Sequence, residues 1–203
     1  MAPGRAQRLG AAALAGAGSP QVDSVRAFFG LPLPESQRDE LSRFVAECAV
    51  LAPEFRWTPA PNLHLTVRFV GSVDRGLMDG VADHIERLRP PGFDIELGDV
   101  GTFKRGRLAR VVWLGLRSGS DAAGRLARLV DAECVAAGLE GEQRPFRAHL
   151  TLARARPRDG ASLPQLPEPP RLQAWRASHL VLFASHPSPK GSVYEPLRTL
   201  ALE

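Results

Sequence analysis

Two short stretches constrain this chain more than anything else in it. The first is Asn62-Leu63-His64-Leu65-Thr66-Val67-Arg68-Phe69-Val70, which alternates apolar and polar residues. The second, Phe146-Arg147-Ala148-His149-Leu150-Thr151-Leu152, repeats His-Leu-Thr in a like pattern. Side chains two apart on a strand point to one face of the sheet. The alternation therefore puts His64, Thr66 and Arg68 on one face, with Leu63, Leu65, Val67 and Phe69 on the other. In the second stretch His149 and Thr151 share a face, and Phe146, Ala148, Leu150 and Leu152 line its underside. If the two strands meet across a cleft, two imidazoles and two hydroxyls converge without a metal. That set suits acid–base work on a phosphate.

Composition sets the frame for such a site. A chain of 203 residues, 44% of them hydrophobic, can bury a core as one domain or as two small lobes. The net charge is +4 and the cations are nearly all Arg, whose guanidinium binds phosphate bidentately. Cys48 and Cys134 fall in helix-like segments without a Cys-x-x-Cys pair, so buried thiols in a reducing compartment are expected. No apolar run is long enough to cross a membrane. P-loop, dinucleotide, nucleophile-elbow and His-Glu-x-x-His patterns are absent. The lack of a carboxylate–His cluster argues against two-metal catalysis.

Residues 1–23 are rich in Ala and Gly, with Arg5 and Arg8 ahead of a weakly apolar run. They are read as a disordered extension, with residues 24–203 as the domain. Within it, residues 25–31 predict a strand, 34–51 a helix, 63–70 the first His strand ending at Gly71, and 74–89 a second helix. Phe93, Ile95 and Leu97 alternate as a strand. They form a hairpin with residues 108–116 through the Lys104-Arg105-Gly106-Arg107 turn. Residues 121–137 predict a third helix capped by Gly138, and 145–153 the second His strand. A Pro-rich surface loop covers 155–174. Strands follow at 179–184 and 193–202, with 185–192 as a loop between them. The order β-α-β-α-β-β-α-β-β-β implies an α+β fold. Two pseudo-symmetric lobes of mainly antiparallel sheet, with helices packed outside, would enclose a cleft between them.

The paired motifs resemble those of the 2H phosphoesterase superfamily, and among its members the RNA 2′,3′-cyclic phosphodiesterases, also called 2′-5′ RNA ligase-like. The likeness runs from Val25 to the C-terminus. It takes in Arg26-Ala27-Phe28-Phe29-Gly30-Leu31, Arg56-Trp57, Asn62-Leu63-His64-Leu65-Thr66, Arg110-Val111-Val112-Trp113-Leu114-Gly115, His149-Leu150-Thr151-Leu152-Ala153-Arg154 and Tyr194-Glu195-Pro196-Leu197. The resemblance implies metal-independent opening of RNA 2′,3′-cyclic phosphate ends to 2′-phosphates. His149 would activate water and His64 would protonate the departing 3′ oxygen. Thr66 and Thr151 would bind the phosphate oxygens, and Arg154 would neutralise their charge. Strict alternation turns Arg154 away from His149, so the strand must end, twist or bulge there. Arg68 is a second phosphate-binding candidate, and Phe28 a base-stacking one. Ala148 departs from the proline that the family often has before the second His.

No metal or other cofactor is expected, and the partner is an RNA or oligonucleotide with a 2′,3′-cyclic phosphate end. The protein is expected to be a cytoplasmic monomer without membrane contact. His84, His179 and His186 lack a motif, and Trp57, Trp113 and Trp175 suit a core or rim. Two alternatives stay open. One is a 2H enzyme acting on another cyclic nucleotide or a 2′-5′ linked oligonucleotide, and the other is a non-catalytic RNA-end binding module.

Overall fold

The computed structural model describes residues 23–188 and 191–203; the N-terminal extension inferred for residues 1–23 lies almost wholly outside them. The elements are β1 (Ser24–Pro32), α1 (Glu35–Leu51), β2 (Phe55–Trp57), a 3-10 turn (Ala60–Asn62), β3 (His64–Asp74), α2 (Arg75–Arg87), β4 (Phe93–Arg105), β5 (Leu108–Ser118), α3 (Ser120–Ala136), β6 (Leu150–Ala155), β7 (Trp175–Ala177), β8 (His179–His186) and β9 (Val193–Ala201). The strands form one nine-stranded sheet in the order β7-β4-β5-β6-β3-β1-β8-β9, with β2 also paired to β6. All pairings are antiparallel. The expected lobes are two halves of this sheet. β1-α1-β3 and β5-α3-β6 are matching units, flanked by β8 and β4 respectively. The halves join through one pair, Leu65 with Leu150.

The helices follow the expected stripes. Leu41, Phe44 and Cys48 of α1, Met78 and Ile85 of α2, and Leu126, Val130 and Cys134 of α3 share a core with Leu31, Leu65, Leu114, Leu150 and Leu152. Asp74 caps α2 by accepting from the Leu77 N–H at 2.8 Å, which satisfies one of the free donors of a helix start. Gly138, at φ +89°, closes α3, and Leu139 N–H reaches back to the Cys134 carbonyl. Only glycine adopts that left-handed turn cheaply. Among the described residues no helix is long and apolar enough to cross a membrane.

Several boundaries differ from the sequence reading. β3 runs through Gly71 to Asp74, and β4 extends to Arg105. Strands β2 and β7, three residues each, were not anticipated. The second His strand begins at Leu150, one residue after His149, instead of at 145. β8 continues to His186, which shortens the expected 185–192 loop. The long connection before β7 has little regular structure, as expected, and is tied to β5 through Ala161 and Ala109.

Candidate active site

The Leu65–Leu150 pair is the centre of the site. Both leucines point into the core, at 1% and 0% exposure, so their neighbours point the other way. Continuing the antiparallel register by one residue sets His64 across from Thr151, and Thr66 across from His149. The four side chains thus share one face around a local two-fold relation. The sequence brought these residues to one face of each strand, and the fold brings the two strands together.

Each imidazole is held in the same way. His64 Nδ1 donates to the Asn62 carbonyl and His149 Nδ1 to the Arg147 carbonyl, both at 2.7 Å and both two residues upstream. A carbonyl only accepts, so Nδ1 carries the proton in each ring and Nε2 is the atom that can gain or lose one. His64 Nε2 accepts from the Thr66 hydroxyl at 3.0 Å. His149 Nε2 makes no protein hydrogen bond among the described residues. Aromatic rings from flanking strands back each imidazole. Phe28, Phe183 and Tyr194 lie 4.8, 6.0 and 5.2 Å from His64. Phe103 and Trp113 lie 5.0 and 6.2 Å from His149. Trp113 reaches His149 by lying across Gly101, where a Cβ would sit 2.2 Å from its ring.

These walls decide the protonation state. Burial pushes His64 down to about 4, against the Asn62 carbonyl, which favours the charged ring; Arg154 and His149 add to the lowering. Burial likewise lowers His149, opposed by the Arg147 carbonyl and assisted by Arg154. Both rings are therefore neutral at pH 7 in the free protein.

Register irregularities settle the remaining residues. In β6, Ala153 and Thr151 face consecutive residues of β5, Val112 and Trp113. Leu152 is thus an extra, bulged residue, and it is fully buried. The bulge resets the alternation, so Arg154 returns to the face of Thr151 and lines the cleft, as the expected break in the strand requires. A matching bulge occurs in β3, where Thr66 and Arg68 face consecutive β1 residues, Gly30 and Phe29. Val67 is the extra residue, and the consequence is a correction. Arg68 turns to the helix side and pairs with Asp131 at 2.8 Å and Glu142 at 3.5 Å; it is not in the cleft. Phe69 takes its place on the site face, 43% exposed, with Arg26 over its ring at 4.8 Å.

Phe28 lines the cleft beside His64 but is nearly covered. It is 3% exposed, stacked on Phe183 at 5.0 Å and edge-on to Tyr194 at 4.9 Å. The ring serves as the wall behind His64, at the edge of the cleft, with one face covered by Phe183. The cleft of about 380 Å³ is lined by Arg26, Thr58, Asn62, His64, Thr66, Phe69, Thr151, Arg154 and Tyr194, among others. Two of its lining residues are arginines and none is a carboxylate, so it attracts anions. Phe69, Arg26, Thr58, Phe103 and Tyr194 had no role in the sequence reading. Elsewhere, His186 pairs with Glu195 at 3.0 Å, His179 with Ser178, and His84 lies 3.8 Å from Glu133. Trp57 donates to the Ala52 carbonyl. Cys48 and Cys134 are fully buried free thiols, each pushed up to about 11 chiefly by burial. No group of three or more His, Cys, Asp or Glu among the described residues is placed to hold a metal ion.

The family model of the LigT like phosphoesterases matches residues 31–113 and, separately, residues 114–194. The chain belongs to the LigT-like phosphoesterase family. Each match contains one His-Leu-Thr segment, His64 to Thr66 in the first and His149 to Thr151 in the second. The Escherichia coli K12 protein named RNA 2′,3′-cyclic phosphodiesterase is 32% identical over 178 residues, covering 87% of this chain and 96% of the relative. Its namesake from Methanothermobacter thermautotrophicus is 30% identical over 186 residues, covering 88% and 99%. The crystal structure of E. coli LigT complexed with 3′-AMP superposes with a TM-score of 0.76 at 29% identity, covering 89% of this chain and 99% of that one. A Thermus thermophilus protein of known crystal structure gives 0.74 at 26% identity, with 87% and 97% covered. This LigT-like chain therefore shares both the fold and nearly the full length of its relatives.

Proposed function

We propose that this protein hydrolyses the 2′,3′-cyclic phosphate ends of RNA to 2′-phosphates, without a metal or other cofactor. The observation that carries the reading is that both His-Leu-Thr segments meet at the Leu65–Leu150 pair: His64, Thr66 and Thr151 line one cleft with two arginines, and His149 lies near enough to lower the His64 pKa. The names of its relatives support it.

In this scheme His149 Nε2, neutral and without a protein partner, takes a proton from the attacking water. The water oxygen bonds to phosphorus as the bond from phosphorus to the 3′ oxygen breaks. His64 Nε2 delivers a proton to that oxygen. His64 is neutral in the free protein; the anionic ester, once seated between the rings, favours its charged form and loads the proton. Thr66 and Thr151 donate to the non-bridging oxygens, and Arg154 offsets their charge. The fixed Nδ1–H bonds keep both Nε2 atoms aimed at the phosphate. On the same reading residues 24–203 form the catalytic domain. The protein acts as a monomer in the cytoplasm, a reducing compartment that suits two buried free thiols.

The test is product analysis on an oligonucleotide carrying a 2′,3′-cyclic phosphate end, with chelator present. A 2′-phosphate formed at an undiminished rate supports the scheme. A 3′-phosphate, a requirement for metal, or mere binding without turnover overturns it.

A further inference from the structure

β2 is only three residues long, yet it is rigidly placed. Phe55 is 1% exposed, Trp57 Nε1 donates to the Ala52 carbonyl at 3.0 Å, and Thr58 N–H donates to the Leu152 carbonyl at 2.7 Å. Between these anchors Arg56 points the opposite way and is exposed. Its cross-strand partner is Arg154. Paired residues of an antiparallel sheet share a face, with Cβ atoms about 5 Å apart, and like charges placed so destabilise the pair. Among the described residues neither guanidinium has a carboxylate within ion-pair distance, although Glu54 is close in sequence. Several other strand arginines are paired, Arg117 with Glu96, Arg198 with Asp83, and Arg68 with Asp131, and neither Arg26 nor Arg110, which like them lack an ion pair among the described residues, faces another arginine across the sheet. Two uncompensated arginines on one face of anchored strands make a seat for an anion.

That seat is continuous with the cleft. Arg154 lines it, and so does Thr58, two residues beyond Arg56. Once the bulge at Leu152 is discounted, Arg154 lies two sheet positions from Thr151, about 7 Å along the strand. A single phosphate between the histidines cannot also span to Arg56 one strand over, whereas the next phosphate of a nucleic acid chain can.

We infer that Arg56 holds the phosphodiester one nucleotide upstream of the reacting phosphate, so that the cleft prefers oligonucleotide ends to cyclic mononucleotides. This rests on the hydrolase reading above. The experiment compares kcat/KM for a 2′,3′-cyclic mononucleotide with that for a dinucleotide bearing the same end, in wild type, Arg56→Gln and Arg56→Lys. Wild type should favour the dinucleotide. That preference should fall about tenfold to a hundredfold in Arg56→Gln, as for loss of a charge-assisted bond, chiefly through KM, and return in part with Arg56→Lys. The salt dependence on the dinucleotide should become shallower by about 0.7 in log–log slope. A dinucleotide with a neutral methylphosphonate linkage should no longer distinguish wild type from Arg56→Gln. An unchanged preference in Arg56→Gln, or indifference to the neutral linkage, overturns the inference. If wild type turns over neither substrate, the hydrolase reading fails. Fluorescence anisotropy with a labelled 2′-phosphate-ended dinucleotide then decides the subsite: weaker binding by Arg56→Gln keeps it, and equal binding removes it.

Discussion

Burial of His64 has a consequence for stability that can be measured without any substrate. Its ring donates from Nδ1 to Asn62, accepts at Nε2 from Thr66, and is walled by Phe28, Phe183 and Tyr194. In the folded chain burial holds it down to about 4, from an ordinary value of 6.5. Between those values the unfolded chain binds a proton that the folded chain refuses, so stability must fall as pH falls. The contribution is fully present above pH 6.5 and is lost progressively toward pH 4. Integrating the difference gives a loss on the order of 3 kcal/mol at pH 4 relative to pH 8. His64→Gln removes the titrating group and keeps a polar side chain. Urea unfolding of both proteins from pH 8 to pH 4 isolates the effect, because all other titrations cancel in the difference. Wild type should lose about 3 kcal/mol more than the variant across that range. A pH-independent difference, or an NMR titration placing the His64 ring near 6.5, would refute the account of how the ring is held neutral.

Other expectations follow from single contacts. Arg68→Ala should leave kcat/KM unchanged but cost about 2 kcal/mol in urea unfolding, since it breaks the pairing with Asp131 and leaves that carboxylate only the Glu142 N–H as a partner; a large activity loss with full stability would return Arg68 to the site. Gly101→Ala should displace Trp113 from His149, costing about 1–3 kcal/mol, with a shift in tryptophan emission and slower turnover; wild-type values in all three would mean that Trp113 does not wall the site. Thr151→Val should lower kcat by about 10- to 100-fold through the lost hydroxyl without change in the melting temperature, and an unaffected kcat would remove the hydroxyl from the scheme. Cys48 and Cys134 should be inert to a thiol reagent in the native protein and react fully in denaturant. Fast native labelling would contradict their burial.

The sequence showed the two His-Leu-Thr strands, the three helices and the α+β class because each rests on periodicity within one segment. It did not show that Arg68 faces Asp131 while Phe69 faces the cleft. That exchange comes from Val67 having no partner in β1, a property of two strands in register and not of either alone. Val67 is as strand-prone as its neighbours, so nothing in its type marks a bulge. Leu152 is the same case, but there the need to bring Arg154 beside His149 made a break foreseeable. β2 and β7 are too short to carry a pattern, and with β2 unseen the pairing of Arg56 with Arg154 was out of reach. Phe28 is ambiguous in another way. An aromatic on the first strand fits a stacking role as well as a wall, and its packing on Phe183 and Tyr194 is a property of three strands that no single segment shows.

The central claim is that His64 and His149 act together on one phosphate. Single-turnover rates on a cyclic-phosphate-ended oligonucleotide test it most directly, with wild type, His64→Ala, His149→Ala and the double variant compared at saturating enzyme. Each single variant should be slower by about 10²- to 10⁴-fold. The double variant should be little worse than the weaker single one, since the two groups serve one transition state. A wild-type rate in either single variant, or losses that multiply fully in the double, would contradict the account.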